Sequence, residues 1–437
     1  MINKAFFQKN TFFALLLLAA AFFLRFQAAS NAALIYDEEN YYLAAKEIGT
    51  FPNVFDLDIK GVSSIRSPDE SWNTDREGMV KYYFFTLLTI NLSKFLFGES
   101  MLGMRMLFII FGVMGLAFIY KLIEEQLDKR TALLALAILT FSQLHIGLSK
   151  VMLHSPFHFF LVLTIYFFFK ALSNGQGKWM YLAGLAGGLG FLYYPWMLLL
   201  LPVLFVFLLQ EKECRNWLRR KETYAACFIA FCIIAPFFFW NFNGFIYKAG
   251  SDKPLLNIGF SLRGFYLYFA DFFARFSAQI RLLHWDGLGQ KLFMHGPKGM
   301  ILLGEIETEF PVMDWVLSLL IFAGIFYGLR NKEKALIRFS LLMFFVFFVI
   351  MSVVNGNVLF LDYSWLDVTL YPGVILCAFL FTDIQKKRKK FFIFEAMLVV
   401  YLMINALHLI SAPEDFYGLP ESELEKIYRG ENHGNWR

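Results

Sequence analysis

The chain has 437 residues, of which 58% are hydrophobic and only 17% are charged. A soluble domain of this size needs a larger charged surface, so the composition excludes an ordinary soluble protein. The formal net charge is only +5, and no basic cluster is interleaved with stacking aromatic residues, which argues against a nucleic-acid partner. The four cysteines form no close metal-type pair, and they indicate neither a zinc site nor a disulfide framework.

Long apolar blocks predict an all-α polytopic membrane protein. A helix needs about 20 apolar residues to cross the hydrocarbon, and by that measure the sequence holds about 11 transmembrane helices within one domain, 1–410. Phe22, Phe23 and Gln27 make a poor small-residue cleavage site in the first block, so we interpret it as a retained span rather than a signal peptide. The predicted spans are 11–29, 101–121, 131–148, 157–172, 179–193, 195–210, 224–241, 313–329, 337–354, 368–383 and 391–410.

An acidic stretch follows the first span directly. It contains three consecutive carboxylates, Asp37, Glu38 and Glu39, where the chain leaves the membrane. Apolar residues recur after them at helical spacing, which predicts a short amphipathic helix along the membrane surface. The carboxylates are candidate catalytic groups, and the alternative is that they only cap this helix and interact with its dipole.

The block 81–97 is apolar enough to span the membrane, but polar residues are scattered through it. If it is interfacial or reentrant, Lys and Arg collect in the inner connections, as the positive-inside rule requires, and the short outer connections hold only Lys150. We therefore predict a cytoplasmic N-terminus, two long outer loops (30–100 and 242–312) with interfacial helices, and an outer tail (411–437). Basic inner loops without outer disulfides favour a bacterial inner membrane.

Polar residues on the outer side are suited to chemistry on a lipid phosphate. They include Lys81 and Arg105. At a membrane face, Arg or Lys could neutralise the phosphate of a leaving group, while a carboxylate deprotonates an acceptor hydroxyl or holds a metal. The alternative for both cations is that their side chains only reach toward head groups or water.

Three polar residues in the large outer loop, His284, Asp286 and His295, are candidate contacts to a substrate or a metal. His154 is a further candidate, because His154 and His158 are four residues apart and could lie on one helix face as metal ligands. The alternative is that both histidines are ordinary interfacial residues. The cluster Gly184, Gly187, Gly188 and Gly190 predicts close helix packing.

Five segments between residues 10 and 210 recur in the order and spacing of one enzyme group. They are Tyr36–Ala45, Leu96–Gly98 with Arg105–Leu107 and Phe111–Gly112, Asp128–Ala135, His145–Lys150, and the Gly-rich Gly184–Tyr194. Together they resemble membrane glycosyltransferases of the GT-C type, in particular the protein mannosyltransferase and aminoarabinose transferase families, which use polyprenyl-phosphate sugars.

The resemblance implies a GT-C-like fold and transfer of a sugar from a polyprenyl-phosphate donor to a lipid, glycan or protein acceptor on the outer face. It also implies that Asp37 activates the acceptor, that Glu38 supports it, and that Lys81 and Arg105 contact the donor phosphate. The chain departs from the family at Leu153–Ser155, where an acid is common. Either His154 substitutes or the acceptor and metal arrangement differs, so the use of a divalent metal stays open, as do the sugar and the stereochemical outcome.

Two other classes of function remain. A lipid or sugar translocase should carry ionisable residues deep in its spans, and few are visible in this sequence. A noncatalytic GT-C-like protein is allowed by the missing acid. Loss of activity in a well-folded Asp37→Asn variant would separate the enzyme from both.

Overall fold

A computed structural model of the chain describes residues 2–31, 84–148, 154–240, 298–301, 304–307, 315–354 and 367–411. These residues form a helical bundle with one antiparallel hairpin, as expected where backbone groups must be satisfied within each span. The helices are α1 (Ile2–Asn31), α2 (Phe84–Phe97), α3 (Met101–Gln126), α4 (Lys129–Phe141), α5 (Gln143–Leu148), α6 (His154–Asn174), α7 (Gly177–Tyr193), α8 (Leu200–Gln210), α9 (Lys221–Trp240), α10 (Trp315–Arg330), α11 (Ala335–Val354), α12 (Asp367–Lys387) and α13 (Phe392–Ser411), and the strands are β1 (Lys298–Ile301) and β2 (Gly304–Glu307).

The predicted all-helical architecture is confirmed, apart from this hairpin, which the sequence did not indicate. Each predicted span coincides with helical residues, and five described segments are long and apolar enough to cross a membrane, so the total number of spans stays a prediction. The short amphipathic helix predicted after the acidic stretch, the interfacial helices predicted in the loop 242–312, and the tail beyond Ser411 lie outside the described residues. The five segments are Thr11–Ser30, Met101–Gln126, Ser155–Asn174, Val368–Lys387 and Lys389–Leu407.

Helices α3, α4, α6 and α12 form the centre of the bundle, and their facing side chains are fully buried, as at Leu136 and Leu161. Large apolar residues are exposed on peripheral helices instead, among them Phe228 on α9, Phe326 on α10 and Met397 on α13. Exposed apolar surface on this scale is unusual for a soluble protein and suits contact with lipid.

Helix α2 is too short to cross a membrane, because its 14 residues extend only about 21 Å. Its side chains contact the ends of two longer helices. The Ser93 hydroxyl donates to the Gly103 carbonyl near the start of α3 (2.5 Å), and Thr89 shares a hydrogen bond with the Tyr193 hydroxyl at the end of α7 (2.8 Å). Both are the predicted outer ends of those helices, as expected for an interfacial or reentrant helix.

Ion pairs connect neighbouring helices at the end of the bundle opposite α2. Arg130 at the start of α4 pairs with Glu395 at the start of α13 (2.7 Å), and Lys386 at the end of α12 pairs with Asp128 before α4 (3.1 Å). Asp128, Arg130 and Lys386 belong to predicted inner connections, and Glu395 lies near the start of the last predicted span, which follows an inner connection. The helix ends that were predicted to share one membrane side therefore lie together. The orientation of this end in a membrane stays a prediction.

Asp128 caps the N-terminus of α4, since its carboxylate accepts hydrogen bonds from the Thr131 backbone N–H (2.9 Å) and the Thr131 hydroxyl (3.0 Å). Burial by itself raises the pKa of Asp128, but the Thr131 hydrogen bonds and Lys386 outweigh it and hold the pKa below the ordinary value of 3.8. Because the pKa of Asp128 is lower in the folded than in the unfolded state, its ionised carboxylate stabilises the fold above roughly pH 4. This contribution disappears as the pH falls through the pKa of Asp128 in the folded state.

Replacing Asp128 with Ala should lower the free energy of unfolding by about 1 kcal/mol at pH 7, because the helix cap and the contact with Lys386 are both lost. The midpoint of thermal unfolding in detergent measures this, and the gap from wild type should narrow at acidic pH. A gap that widens on acidification would contradict the assignment of Asp128 as a charged cap.

Three of the four clustered glycines on α7 confirm the predicted close helix packing. A Cβ atom added at Gly184 would lie 2.3 Å from the backbone oxygen of Ala226 on α9, and at Gly188 it would lie 3.0 Å from the Ile233 side chain. At Gly190 it would meet Phe160 and Met197 at 3.0 and 3.2 Å. Gly187 differs, because a Cβ there would make only ordinary contact with Thr164 at 3.8 Å.

Candidate active site

The span predicted at 131–148 is not one continuous helix. Helix α4 ends at Phe141, Ser142 has extended backbone angles (φ −67°, ψ 118°), and the chain resumes as the short helix α5. The Ser142 hydroxyl accepts a hydrogen bond from the His145 backbone N–H (3.4 Å) and so starts α5. A break of this kind leaves the last carbonyl groups of α4 without intrahelical partners, and such groups are costly away from water.

Arg25 supplies those partners. Its fully buried guanidinium group donates to the backbone carbonyls of Leu139 (3.1 Å) and Thr140 (3.4 Å) at the end of α4, and to Ala21 on its own helix (2.9 Å). A cation at a helix C-terminus also interacts favourably with the negative end of the helix dipole. Arg25, a cation within the first apolar block, therefore stabilises a break in another helix.

His145 links Arg25 to a third helix. Its Nδ1 atom lies 2.7 Å from the Arg25 guanidinium, and its Nε2 atom lies 2.9 Å from the Tyr371 hydroxyl on α12. Because a guanidinium group can only donate, Nδ1 must be the acceptor and Nε2 carries the ring proton. His145 is thus held in one neutral tautomer and donates to Tyr371, whose ring also contacts the His158 ring edge-on at 5.3 Å between centroids.

Arg105, at the start of α3, lies at the same end of the bundle. Its side chain is fully buried and donates to the carbonyl of Ala29 near the end of α1 (2.6 Å). A fully buried side chain does not extend toward head groups or water, which was the alternative interpretation of Arg105. We call Arg25, Arg105, His145, His158 and Tyr371 the outer polar cluster, because this end of the bundle is the one predicted to be outer.

Most of the site residues predicted from the sequence are not part of the outer polar cluster. Asp37, Glu38, Lys81, His284, Asp286 and His295 lie outside the described residues, and His154 begins α6 with a side chain that is likewise outside them. Arg105 is the one predicted site residue that the structure describes fully. His158 packs against Tyr371 and Phe157, and no group of three metal-ligating side chains occurs among the residues described.

Sequence reasoning missed the link between Arg25, His145 and Tyr371. One signal was present, because an arginine inside a membrane span is rare and usually has a specific role. The few ionisable residues near the ends of these predicted spans, Arg25, Arg105, His145 and His158, are all buried in the structure. Tyr371 carried no comparable signal in an aromatic-rich chain.

Residues 84–240 match the family model described as dolichyl-phosphate-mannose-protein mannosyltransferase. The matched segment runs from α2 to the end of α9, so it includes Arg105 and His145 and begins after the acidic stretch at Asp37. No curated protein matches the chain in sequence.

Two solved structures resemble the fold. One is ArnT from Cupriavidus metallidurans bound to undecaprenyl phosphate, with a TM-score of 0.57 and 15% identity over 88% of this chain and 63% of ArnT. The other is the archaeal oligosaccharyltransferase AglB from Archaeoglobus fulgidus with an inhibitory peptide and a dolichol-phosphate, with a TM-score of 0.55 and 16% identity over 94% of this chain and 57% of AglB. The chain therefore spans less than two thirds of the length of either protein.

The fold is that of the GT-C class of membrane proteins. The resemblance predicted from the sequence is confirmed by the match of residues 84–240 and by the likeness to ArnT and AglB.

Proposed function

We propose that the chain is an integral-membrane glycosyltransferase that moves a sugar from a polyprenyl-phosphate donor to a lipid, glycan or protein acceptor on the outer face of the bacterial inner membrane. The observation that carries the proposal is the match of residues 84–240 to a family of dolichyl-phosphate-mannose-dependent transferases. The likeness to ArnT with undecaprenyl phosphate and AglB with dolichol-phosphate supports the same class of donor.

The charges at the outer end suit this chemistry. A departing lipid phosphate needs cations to stabilise its negative charge, and Arg105, in the matched segment, lies at this end with Lys81 close to it in sequence. An acceptor hydroxyl needs a base, which we assign to Asp37 with Glu38 in support. His154, His284, Asp286 and His295 are the further candidates for contacting the substrates or a divalent metal.

A translocase is the second candidate function, because the outer polar cluster places ionisable side chains inside predicted spans. Two features weigh against it. Arg25 is bonded to the ends of helices rather than facing a channel, and the described centre of the bundle between the cluster and the inner ion pairs is lined by apolar residues such as Ile119, Leu136 and Leu161.

The purified protein should transfer labelled sugar from at least one member of a panel of polyprenyl-phosphate sugars, and it should ignore the corresponding soluble nucleotide sugars. Parallel reactions with and without a metal chelator decide whether a divalent ion takes part. If no carrier sugar is consumed or bound, the transferase proposal fails, and translocation of the same carriers in liposomes becomes the relevant measurement.

A further inference from the structure

We propose that Arg25 is a positioning residue for the transfer reaction, which makes this inference dependent on the proposed function. Arg25 caps the interrupted end of α4 and, through His145, holds α5 in place. In the sequence, five residues separate the end of α5 from His154, one of the candidate substrate contacts. Arg25 therefore acts on the reaction through the backbone around it.

The hydrogen bonds of Arg25 argue against its acting as a two-point clamp for the donor phosphate. One terminal nitrogen donates to Ala21 and Thr140, and the other donates to Leu139 and His145. These contacts use the four terminal N–H donors of the guanidinium group, and the fifth donor, Nε–H, is buried without a hydrogen-bond partner among the described residues. A phosphate could accept two hydrogen bonds from this group only if a terminal N–H gave up its present partner, which would cost the desolvation of a buried polar group.

Helix α5 depends on its neighbours because six residues are too few to form a stable helix alone. It is held from three sides. His145 accepts from Arg25 on α1 and donates to Tyr371 on α12, while the Gln143 amide donates to the backbone carbonyl of Asn405 on α13 (3.0 Å). Removing Arg25 breaks the first contact and also leaves the carbonyls of α4 unsatisfied, so α5 should lose its fixed position.

Four variants test this proposal in the full chain. Arg25→Met removes the donors but keeps a long side chain, and His145→Leu removes the link while Arg25 stays. His145→Gln is the conservative variant, because its amide oxygen can accept from Arg25 while its NH2 group donates to Tyr371. Arg130→Gln is the matched control, because it removes a cation from the other end of α4, where Arg130 pairs with Glu395.

Arg25→Met and His145→Leu should each lower kcat by about 10-fold to 100-fold while the KM for the donor changes by less than about threefold, since misplaced groups impair the reaction more than ground-state binding. His145→Gln should recover kcat to within about threefold of wild type, and Arg130→Gln should leave kcat within about twofold. Hydrogen exchange by mass spectrometry should show faster exchange at 143–148 in Arg25→Met and His145→Leu only.

A large rise in the donor KM at unchanged kcat would overturn the proposal, because it would make Arg25 a donor ligand. Unchanged exchange at 143–148 in Arg25→Met would also overturn it. If Arg25→Met does not fold, the comparison of His145→Leu with His145→Gln decides, since equal losses in both would exclude a hydrogen-bonded link. If the wild type transfers no carrier sugar, the proposed function fails, and this result does not depend on the variants. The positioning role of Arg25 then fails as well, whatever the exchange data show, because there is no reaction for Arg25 to affect.

Discussion

Asp37→Asn should abolish sugar transfer in a protein that still folds, with a loss of at least about 100-fold in kcat, the usual scale of a general base. Asn keeps the size and polarity of Asp but cannot take a proton from an acceptor hydroxyl. It also gives up the negative charge that a divalent metal would need. The measurement is transfer from the carrier sugar that wild type uses, with size-exclusion profile and thermal midpoint recorded for both proteins.

The run of three carboxylates supplies its own control. Glu39→Gln makes the same chemical change two residues away, at a carboxylate to which the resemblance gives no role, so its kcat should stay within about threefold of wild type. Glu38→Gln should give an intermediate loss. If Asp37→Asn keeps its activity, or if Glu39→Gln falls equally far, the acidic stretch acts as a helix cap or through its net charge rather than through Asp37.

Hydropathy predicted the helical architecture because a membrane imposes one strong rule, that every spanning backbone satisfies its own hydrogen bonds. The rule fails to locate the break at Ser142, since no Pro or Gly stands at the junction of α4 and α5. The break is stabilised by Arg25, which is 114 positions away from the Leu139 carbonyl. Local pattern cannot reveal a helix end that a distant side chain satisfies.

Charge placement carried more information than apolar content for the block 81–97. Hydropathy alone allowed a span there, and only the distribution of Lys and Arg in the later connections favoured an interfacial helix. The described helix α2 is short and is bonded to Gly103 and Tyr193 at the ends of two helices that this argument predicts to be outer, while its position in a membrane stays a prediction.

The candidate site was less accessible to sequence reasoning than the fold. Arg105 was predicted as a cation near the start of the second span, and the structure has it buried near the start of α3, with a bond to the Ala29 carbonyl that was not foreseen. The contact between His145 and Tyr371 joins residues 226 positions apart, and nothing in either segment indicates the pair. The roles of Asp37 and Glu38 rest on resemblance alone and stay predictions.

Gly184→Ala should destabilise the protein strongly, with a loss of about 3 kcal/mol or more in the free energy of unfolding, as severe overpacking does. The added Cβ would lie 2.3 Å from the backbone oxygen and 2.8 Å from the Cα atom of Ala226. Because these are backbone atoms, no side-chain rotation relieves the overlap, and α7 and α9 must separate. Helices in a membrane associate largely through such close contacts between small residues, so the separation loses packing along the whole interface.

Gly187→Ala is the matched control, three residues along the same helix. Its Cβ would meet only the Thr164 side chain at 3.8 Å, an ordinary contact, and Ala favours a helix over Gly by about 1 kcal/mol. The midpoint of thermal unfolding in detergent should therefore fall markedly for Gly184→Ala and stay equal or rise slightly for Gly187→Ala. Equal midpoints in the two variants would mean that α7 and α9 are not in backbone contact at Gly184. The packing of these two helices in the matched segment would then differ from that described above.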